Sequence, residues 1–288
     1  MTTAHARSWI GETLAAAALL RRVAARTAIG ALRARRPPGE VTKQLYQVGN
    51  RSLGFIAVTL GFIGMVLVFQ TCLQVNRITG DLSQVGAEFV KILVHEFGPS
   101  LTAMMLATRV GAGIAAEVGS MVVTEQVDAL RMCGVEPIEY LIVPRFLASL
   151  LMTGVLTCFG VAVALGMGAL TAHYSFHVNP RIFLDLGRVS FGDLATGGMK
   201  VIAYGAAIPI VSGWAGLGAA AEGRGGSEGV GAATTKAVIA SSFTVILLDF
   251  ILSGIGLFYG GFLLISDPNS RLSKWLDRRV LPYGVTRS

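Results

Sequence analysis

Charged residues are scarce in this sequence. Of its 288 residues only 14% are charged, whereas 53% are hydrophobic. A soluble domain of this length could not bury so much apolar surface in one core. The imbalance excludes an ordinary soluble protein and indicates a chain whose main surroundings are lipid.

Acidic residues are the scarcer charged kind, 17 against 24 lysines and arginines, which leaves a net charge of +7. The basic residues flank apolar segments, and they are not interleaved with aromatic side chains on which nucleic-acid bases could stack. We therefore interpret the excess as attraction to anionic lipid and predict that nucleic acid is not a partner.

The sequence also lacks motifs for catalysis and for metal binding. Cys72, Cys133 and Cys158 are widely spaced, so neither a disulfide framework nor a zinc site is indicated. His95 and Glu96 begin like the HExxH of zinc peptidases, but Pro99 stands where the second histidine would be. No G-x-x-x-x-G-K-[ST] phosphate loop occurs. We predict that the chain is not an enzyme by itself and holds no metal or cofactor.

Five segments have the length and apolar character of membrane spans, at about 49–75, 88–117, 141–172, 199–221 and 237–265. A helix rises about 1.5 Å per residue, so about 20 residues cross a hydrocarbon core about 30 Å thick. The second and fifth segments contain ionisable residues, which at such depth face protein or a polar cavity. The predicted fold is an all-α integral membrane protein with five transmembrane helices.

A basic segment, residues 1–40, precedes the predicted spans and is expected to form a helix lying in the headgroup layer. Arg22, Arg26, Arg33 and Arg36 fall on one face of such a helix. A disordered basic tail is the alternative. Because lysine and arginine prefer the cytoplasmic side, the N-terminus is predicted to be cytoplasmic. Five spans then place the basic C-terminal tail, 266–288, outside, which the same rule does not favour.

Between the second and third spans the pattern becomes that of a short amphipathic helix at 122–133. Glu125, Asp128 and Arg131 form its polar face, and Gly134 and Pro137 end it. A short helix of this kind on the cytoplasmic side has the shape of a docking element for a soluble partner. An ordinary interfacial loop helix is the alternative.

Several motifs, taken in order, carry a resemblance to a known family over about 41–261. They are QLYQVGNRSL, GFIGMVLVFQ, EFGP, TRVGAG, AAEVGSM, TEQVDAL, VEPIEYLIVPR, EGVGAATTKAVIASS and LLDFILS. Together they resemble the MlaE/YrbE-like permeases of the Mla and Mce lipid-transport systems. The likeness covers most of a predicted permease domain, 41–265, and it does not reach the basic tail.

This resemblance implies an ABC transporter permease in the bacterial inner membrane. The complex would move lipids, expected to be phospholipids, between that membrane and a periplasmic MCE-domain protein. A dimer, expected to be of identical chains, and a separate ATPase that binds ATP and magnesium are also implied. Residues 124–133 of the short helix would be the coupling helix, with Glu125, Asp128 and Arg131 contacting the ATPase. A membrane scaffold or channel without ATP-linked transport is the alternative, and it would not need this helix.

The same resemblance places the lipid path where the first spans of two copies meet. Toward the outer end of that span Val66, Phe69, Gln70 and Leu73 are predicted to contact lipid. An ordinary packing helix would look much the same.

Three ionisable residues within the spans, Glu96, Lys200 and Asp249, are predicted to form a polar cluster beside the lipid cavity. The cluster would hold a headgroup or couple opening to closing. The alternative is static ion pairing that only locks helices together. Arg109, nearer the cytoplasmic end of its span, is expected to snorkel or to pair locally.

Overall fold

The structure, a computed structural model, describes residues 2–32, 39–78, 85–179, 183, 191–219 and 226–266. Every regular element in these ranges is helical. The helices are α1 (Thr2–Leu32), α2 (Glu40–Ile78), α3 (Val85–Ile92), α4 (Gly98–Leu106), α5 (Ala112–Val123), α6 (Gln126–Met132), α7 (Pro137–Phe176), α8 (Phe191–Leu217) and α9 (Gly226–Ser266).

Five helical stretches are long and apolar enough to cross a membrane. They are Glu40–Ile78, Val85–Val123, Pro137–Phe176, Gly192–Leu217 and Gly226–Gly256. The prediction of an all-α protein with five spans is thereby confirmed. The first three of these stretches start and finish beyond the predicted limits, and so does the complete helix α9, Gly226–Ser266, because the polar residues at their ends remain helical.

The fourth span ends earlier than predicted. Its helix, α8, stops at Leu217, and Gly218 and Ala219 form a turn closed by 3.1 Å backbone hydrogen bonds to the carbonyls of Trp214 and Gly216. The predicted domain limits at 40/41 and 265/266 remain predictions. The tail beyond residue 266 lies outside the described residues.

The predicted N-terminal helix is present as α1 and is packed against the bundle. Val23 is buried in one cluster with Val127 of α6 and Ile142 of α7. The indole N–H of Trp214 donates a 3.0 Å hydrogen bond to the carbonyl of Ala16. Helices α1 and α6 therefore lie at the same end of the bundle.

Two of the four arginines predicted to share a face of this helix can be placed. Arg22 and Arg26 are exposed on α1, and Arg26 lies 3.7 Å from the carboxylate of Glu139 on α7. Arg33 and Arg36 lie outside the described residues.

The second span is one continuous helical stretch with two π-helical turns, Leu93–Phe97 between α3 and α4 and Ala107–Gly111 between α4 and α5. Pro99 lies in the first turn of α4, just after the first π turn. A π turn adds one residue to a helical turn and often marks a functional position. Glu96 lies within the first π turn and Arg109 within the second.

Helices α2 and α7 pack closely along parallel paths. Gly64 lies against Ala164, and Gly160 lies against Leu60, so residue numbers increase together along the two helices. Successive spans cross a membrane in alternating directions, so the first and third spans are expected to run parallel. A Cβ added at Gly64 would come 2.5 Å from the carbonyl oxygen of Ala164, so this approach requires a glycine.

Replacing Gly64 by alanine is expected to lower the free energy of unfolding by about 1–3 kcal/mol, because α2 and α7 would have to move apart. Gly54→Ala is the matched control on the same helix, since an added Cβ there meets no atom within 4 Å. The measurement is thermal unfolding of the purified protein in detergent, followed by circular dichroism. Equal stability of the two variants would contradict the tight α2–α7 contact.

Candidate functional site

Three helical stretches each bring one ionisable side chain to a common point. Lys200 on α8 is fully buried, and its Nζ is bonded to a carboxylate oxygen of Glu96 in the first π turn. The same Nζ lies 3.1 Å from Oδ1 of Asp249 on α9. The structure thus brings together the three residues that the sequence grouped as a polar cluster.

Hydroxyl groups complete the surroundings of this cluster. Ser100 and Tyr204 donate hydrogen bonds of 2.8 and 2.6 Å to Oδ1 of Asp249. Ser253 accepts a 2.7 Å hydrogen bond from Lys200 and donates one of 3.0 Å to Glu96. All three donors of the lysine ammonium therefore meet an acceptor, as a buried charge requires.

These hydroxyl residues were not predicted from the sequence, although the sequence contains a signal for them. Each one follows an ionisable residue by four positions, which places it on the same helix face one turn further along. The three pairs are Glu96 with Ser100, Lys200 with Tyr204, and Asp249 with Ser253.

The two carboxylates of the cluster are partly exposed, whereas the lysine side chain is fully buried. The side chains of Glu96 and Asp249 are 34% and 31% exposed, and that of Lys200 is 0% exposed. His95 adds a further titratable group, with Nδ1 3.2 Å from Oε1 of Glu96. The arrangement can lock three helical stretches together and can also present carboxylate oxygens to a ligand or a moving neighbour.

Helix α6 is held by its inner face and open on its outer face. Val127 is 3% exposed, whereas Glu125, Asp128 and Arg131 are all exposed. Arg131 donates a 2.8 Å hydrogen bond to Asp128 within the helix. These three predicted residues therefore share an accessible polar surface at the α1 end of the bundle.

The limits of this helix differ from the predicted 122–133 and from the 124–133 that the resemblance implies. Glu125 adopts a left-handed conformation with a φ of 60°, which separates α5 from α6. The helix consequently begins at Gln126. It ends at Met132, and Gly134 follows with a φ of 72°, as expected for a glycine after a helix.

An ion pair that the sequence analysis did not identify joins the two helices flanking α6. Arg145 Nη2 on α7 lies 2.7 Å from Glu117 Oε2 on α5, and its Nη1 donates to the carbonyl of Leu141 over 2.6 Å. The Arg145 side chain is only 7% exposed. The available signal was an acidic residue, Glu117, in the motif AAEVGSM and a basic residue, Arg145, at the end of the motif VEPIEYLIVPR.

The residues predicted to contact lipid lie on the outward side of α2. Val66 and Phe69 are 58% and 44% exposed, Gln70 is exposed, and Leu73 is half-buried. The Phe69 ring packs against Phe176 of α7, with 5.6 Å between ring centroids. The described part of this chain leaves that face of α2 open to lipid or to a second copy, and its role stays a prediction.

Comparison with known proteins agrees with this architecture. The family model described as Permease MlaE matches residues 41–255. A probable ABC transporter permease protein of Synechocystis is 35% identical over 213 residues, 73% of this chain and 79% of the relative. One from Rickettsia typhi is 34% identical over 215 residues, 74% of this chain and 81% of the relative.

A plant protein is also similar. Protein TRIGALACTOSYLDIACYLGLYCEROL 1, chloroplastic, of Arabidopsis thaliana is 33% identical over 213 residues, which are 73% of this chain and 59% of that protein. The family match covers well over half of the sequence, and the bacterial relatives are matched over most of their length. The chain is a multi-pass membrane protein that belongs to the MlaE family of ABC transporter permeases.

Proposed function

We propose that this protein is the membrane subunit of a lipid-transporting ABC complex in the bacterial inner membrane. The complex exchanges lipids, expected to be phospholipids, with a periplasmic MCE-domain protein. A separate ATPase binds ATP and magnesium and drives the transport. Membership of a family of ABC permeases supports the ATPase, and it removes the grounds for a scaffold or channel that is not linked to ATP.

The observation that carries this proposal is the exposed polar face of α6. The helix lies between the second and third spans, its Val127 is anchored in the bundle, and Glu125, Asp128 and Arg131 remain accessible. A short anchored helix with charged groups at its surface suits docking, because complementary charges orient a partner and speed its binding. We assign these residues to the ATPase contact.

The lipid assignment rests on the outward face of α2 and on one relative. Val66 and Phe69 offer an exposed apolar wall to an acyl chain, and Gln70 and Leu73 adjoin it. A second, identical copy facing this wall would enclose a path for lipid. The Arabidopsis relative carries the name of trigalactosyldiacylglycerol, a lipid, which supports lipid as the cargo.

The seat of the MCE-domain protein is assigned to the end of the bundle opposite α6. The two connections there, 76–88 and 171–199, are the candidates. Residues 79–84, 180–182 and 184–190 of these connections lie outside the described residues.

We further assign the Glu96, Lys200 and Asp249 cluster to the coupling of opening and closing. The cluster connects the second, fourth and fifth spans through one ammonium group. Its partly exposed carboxylates have room to exchange partners when these helices move, and Lys200 would follow whichever carboxylate stays close.

Reversing two charges on α6, Glu125→Lys with Asp128→Lys, is expected to weaken binding of the ATPase at least about tenfold, because attraction becomes repulsion. Co-purification of the tagged protein in mild detergent measures the bound ATPase. Glu88→Lys, an exposed acid at the other end of the bundle, is the matched control and should leave the ATPase bound. Undiminished ATPase in a folded double variant would remove α6 from the interface.

Replacing Lys200 by methionine is expected to destabilise the protein by about 3–5 kcal/mol, since two carboxylates would lose their cation. The triple variant Glu96→Gln, Lys200→Met, Asp249→Asn removes every charge and should recover most of that stability. ATP-dependent lipid transfer to acceptor vesicles then separates two roles. A triple variant that is stable but inactive supports coupling, whereas one that is stable and active would reduce the cluster to a static lock.

A further inference from the structure

A groove between α2 and the second span contains two arginine side chains that the proposed transport path does not use. A cavity of about 140 Å³ is lined there by Arg51 and Ser52 of α2 and by Arg109 and Gly113 of the second span. An open surface depression of about 380 Å³ is lined by the same two arginines together with Phe55 and Thr108. The cavity and the depression therefore share Arg51 and Arg109 as lining residues.

The positive charge of this groove is not neutralised within the part of the chain that the structure describes. Arg109 donates a 2.8 Å hydrogen bond to the neutral hydroxyl of Ser52, and among the described residues neither Arg51 nor Arg109 forms an ion pair. Glu117 also lines the smaller cavity, but it is paired with Arg145 at 2.7 Å. Two like charges that face one cavity repel each other unless an anion lies between them.

The groove lies where the apolar surface of α2 begins. Arg51 and Ser52 immediately precede the uncharged run 53–75, and Arg51 stands about 16 Å along α2 from Glu40. This end of α2 is the end at which α1 and α6 lie. A membrane crossed by this run would have the headgroups of one leaflet close to these arginines. Phe55, which is 48% exposed, lies one helical turn beyond Arg51, on the side of the apolar run.

We propose that the groove binds the phosphate group of an anionic phospholipid from the leaflet on the α6 side. The phosphate lies between the guanidinium groups of Arg51 and Arg109, and the acyl chains leave past Phe55. Guanidinium donors match phosphate oxygens in pairs, which gives both strength and orientation. The apolar wall at Phe55 favours a lipid over free phosphate.

This site is distinct from the proposed lipid path at Val66 and Phe69, which lies further along α2 toward its other end. Binding here needs neither the ATPase nor nucleotide, so it can be measured on the purified chain alone. A negative result would leave the transport proposal untouched, and a failure of ATP-dependent transport would leave this site untouched.

The test is native mass spectrometry of the full-length protein in detergent, titrated with phosphatidylglycerol. Arg51→Gln and Arg109→Gln are each expected to weaken binding by about tenfold or more, because each removes a charge-assisted contact. Arg77→Gln, at the far end of α2, removes the same charge elsewhere and should bind like the wild type. Diacylglycerol with the same acyl chains, which lacks the phosphate, should not be retained.

A second variant blocks the cavity without changing any charge. A Cβ added at Gly113 meets no atom within 4 Å, so Gly113→Leu should fold and occupy part of the 140 Å³ cavity that Gly113 lines. Gly166→Leu on α7 is its control, since that glycine is equally unobstructed and lies outside the groove. We expect the affinity for phosphatidylglycerol to fall at least about tenfold in Gly113→Leu, because the leucine keeps the phosphate from its charge-assisted contacts. The affinity of Gly166→Leu should not change.

Circular dichroism and gel filtration confirm that each variant is folded before its titration. Inorganic phosphate that binds as tightly as phosphatidylglycerol would overturn the lipid assignment. Equal retention of phosphatidylglycerol by the wild type, both arginine variants and Gly113→Leu would overturn the site.

Discussion

The bundle depends on one buried ammonium group. In a hydrocarbon medium no water can replace a lost partner, so an unpaired charge is among the costliest defects that a span can carry. Lys200 avoids this cost only while Glu96, Asp249 and Ser253 remain within reach. The second, fourth and fifth spans therefore cannot separate at this level unless another acceptor moves in.

The remaining contacts between spans are of a different kind. Glycines allow α2 and α7 to touch backbone to backbone at Gly64, and α5 and α8 to approach where a Cβ on Gly216 would lie 3.1 Å from the carbonyl oxygen of Ala115. Such packing is shape-dependent and tolerates no added atoms, but it does not fix which helix pairs with which. Polar contacts at three depths supply that choice: the Lys200 cluster, Arg109 with Ser52, and Glu117 with Arg145.

Much of this architecture could be predicted from the sequence because the membrane allows few alternatives. Long uncharged runs must be helices, and ionisable residues within them must face protein, which was sufficient to group Glu96 with Lys200 and Asp249. The pairing of Glu117 with Arg145 depends on the register between two helices, which no local pattern encodes. The start of α6 was misjudged because a left-handed glutamate at position 125 has no sequence signature comparable to glycine.

The contacts also indicate how a movement at α6 would travel. Val127 packs in one cluster with Ile142 of α7, and Glu117 ties α5 to Arg145 of the same helix, so α6 is attached to α7 on both sides. Helix α7 in turn packs rigidly along α2 through Gly64. A force applied by an ATPase at α6 would therefore reach α2 with little loss, because close-packed backbones cannot slide past each other without clashes. The outward face of α2 would move with it.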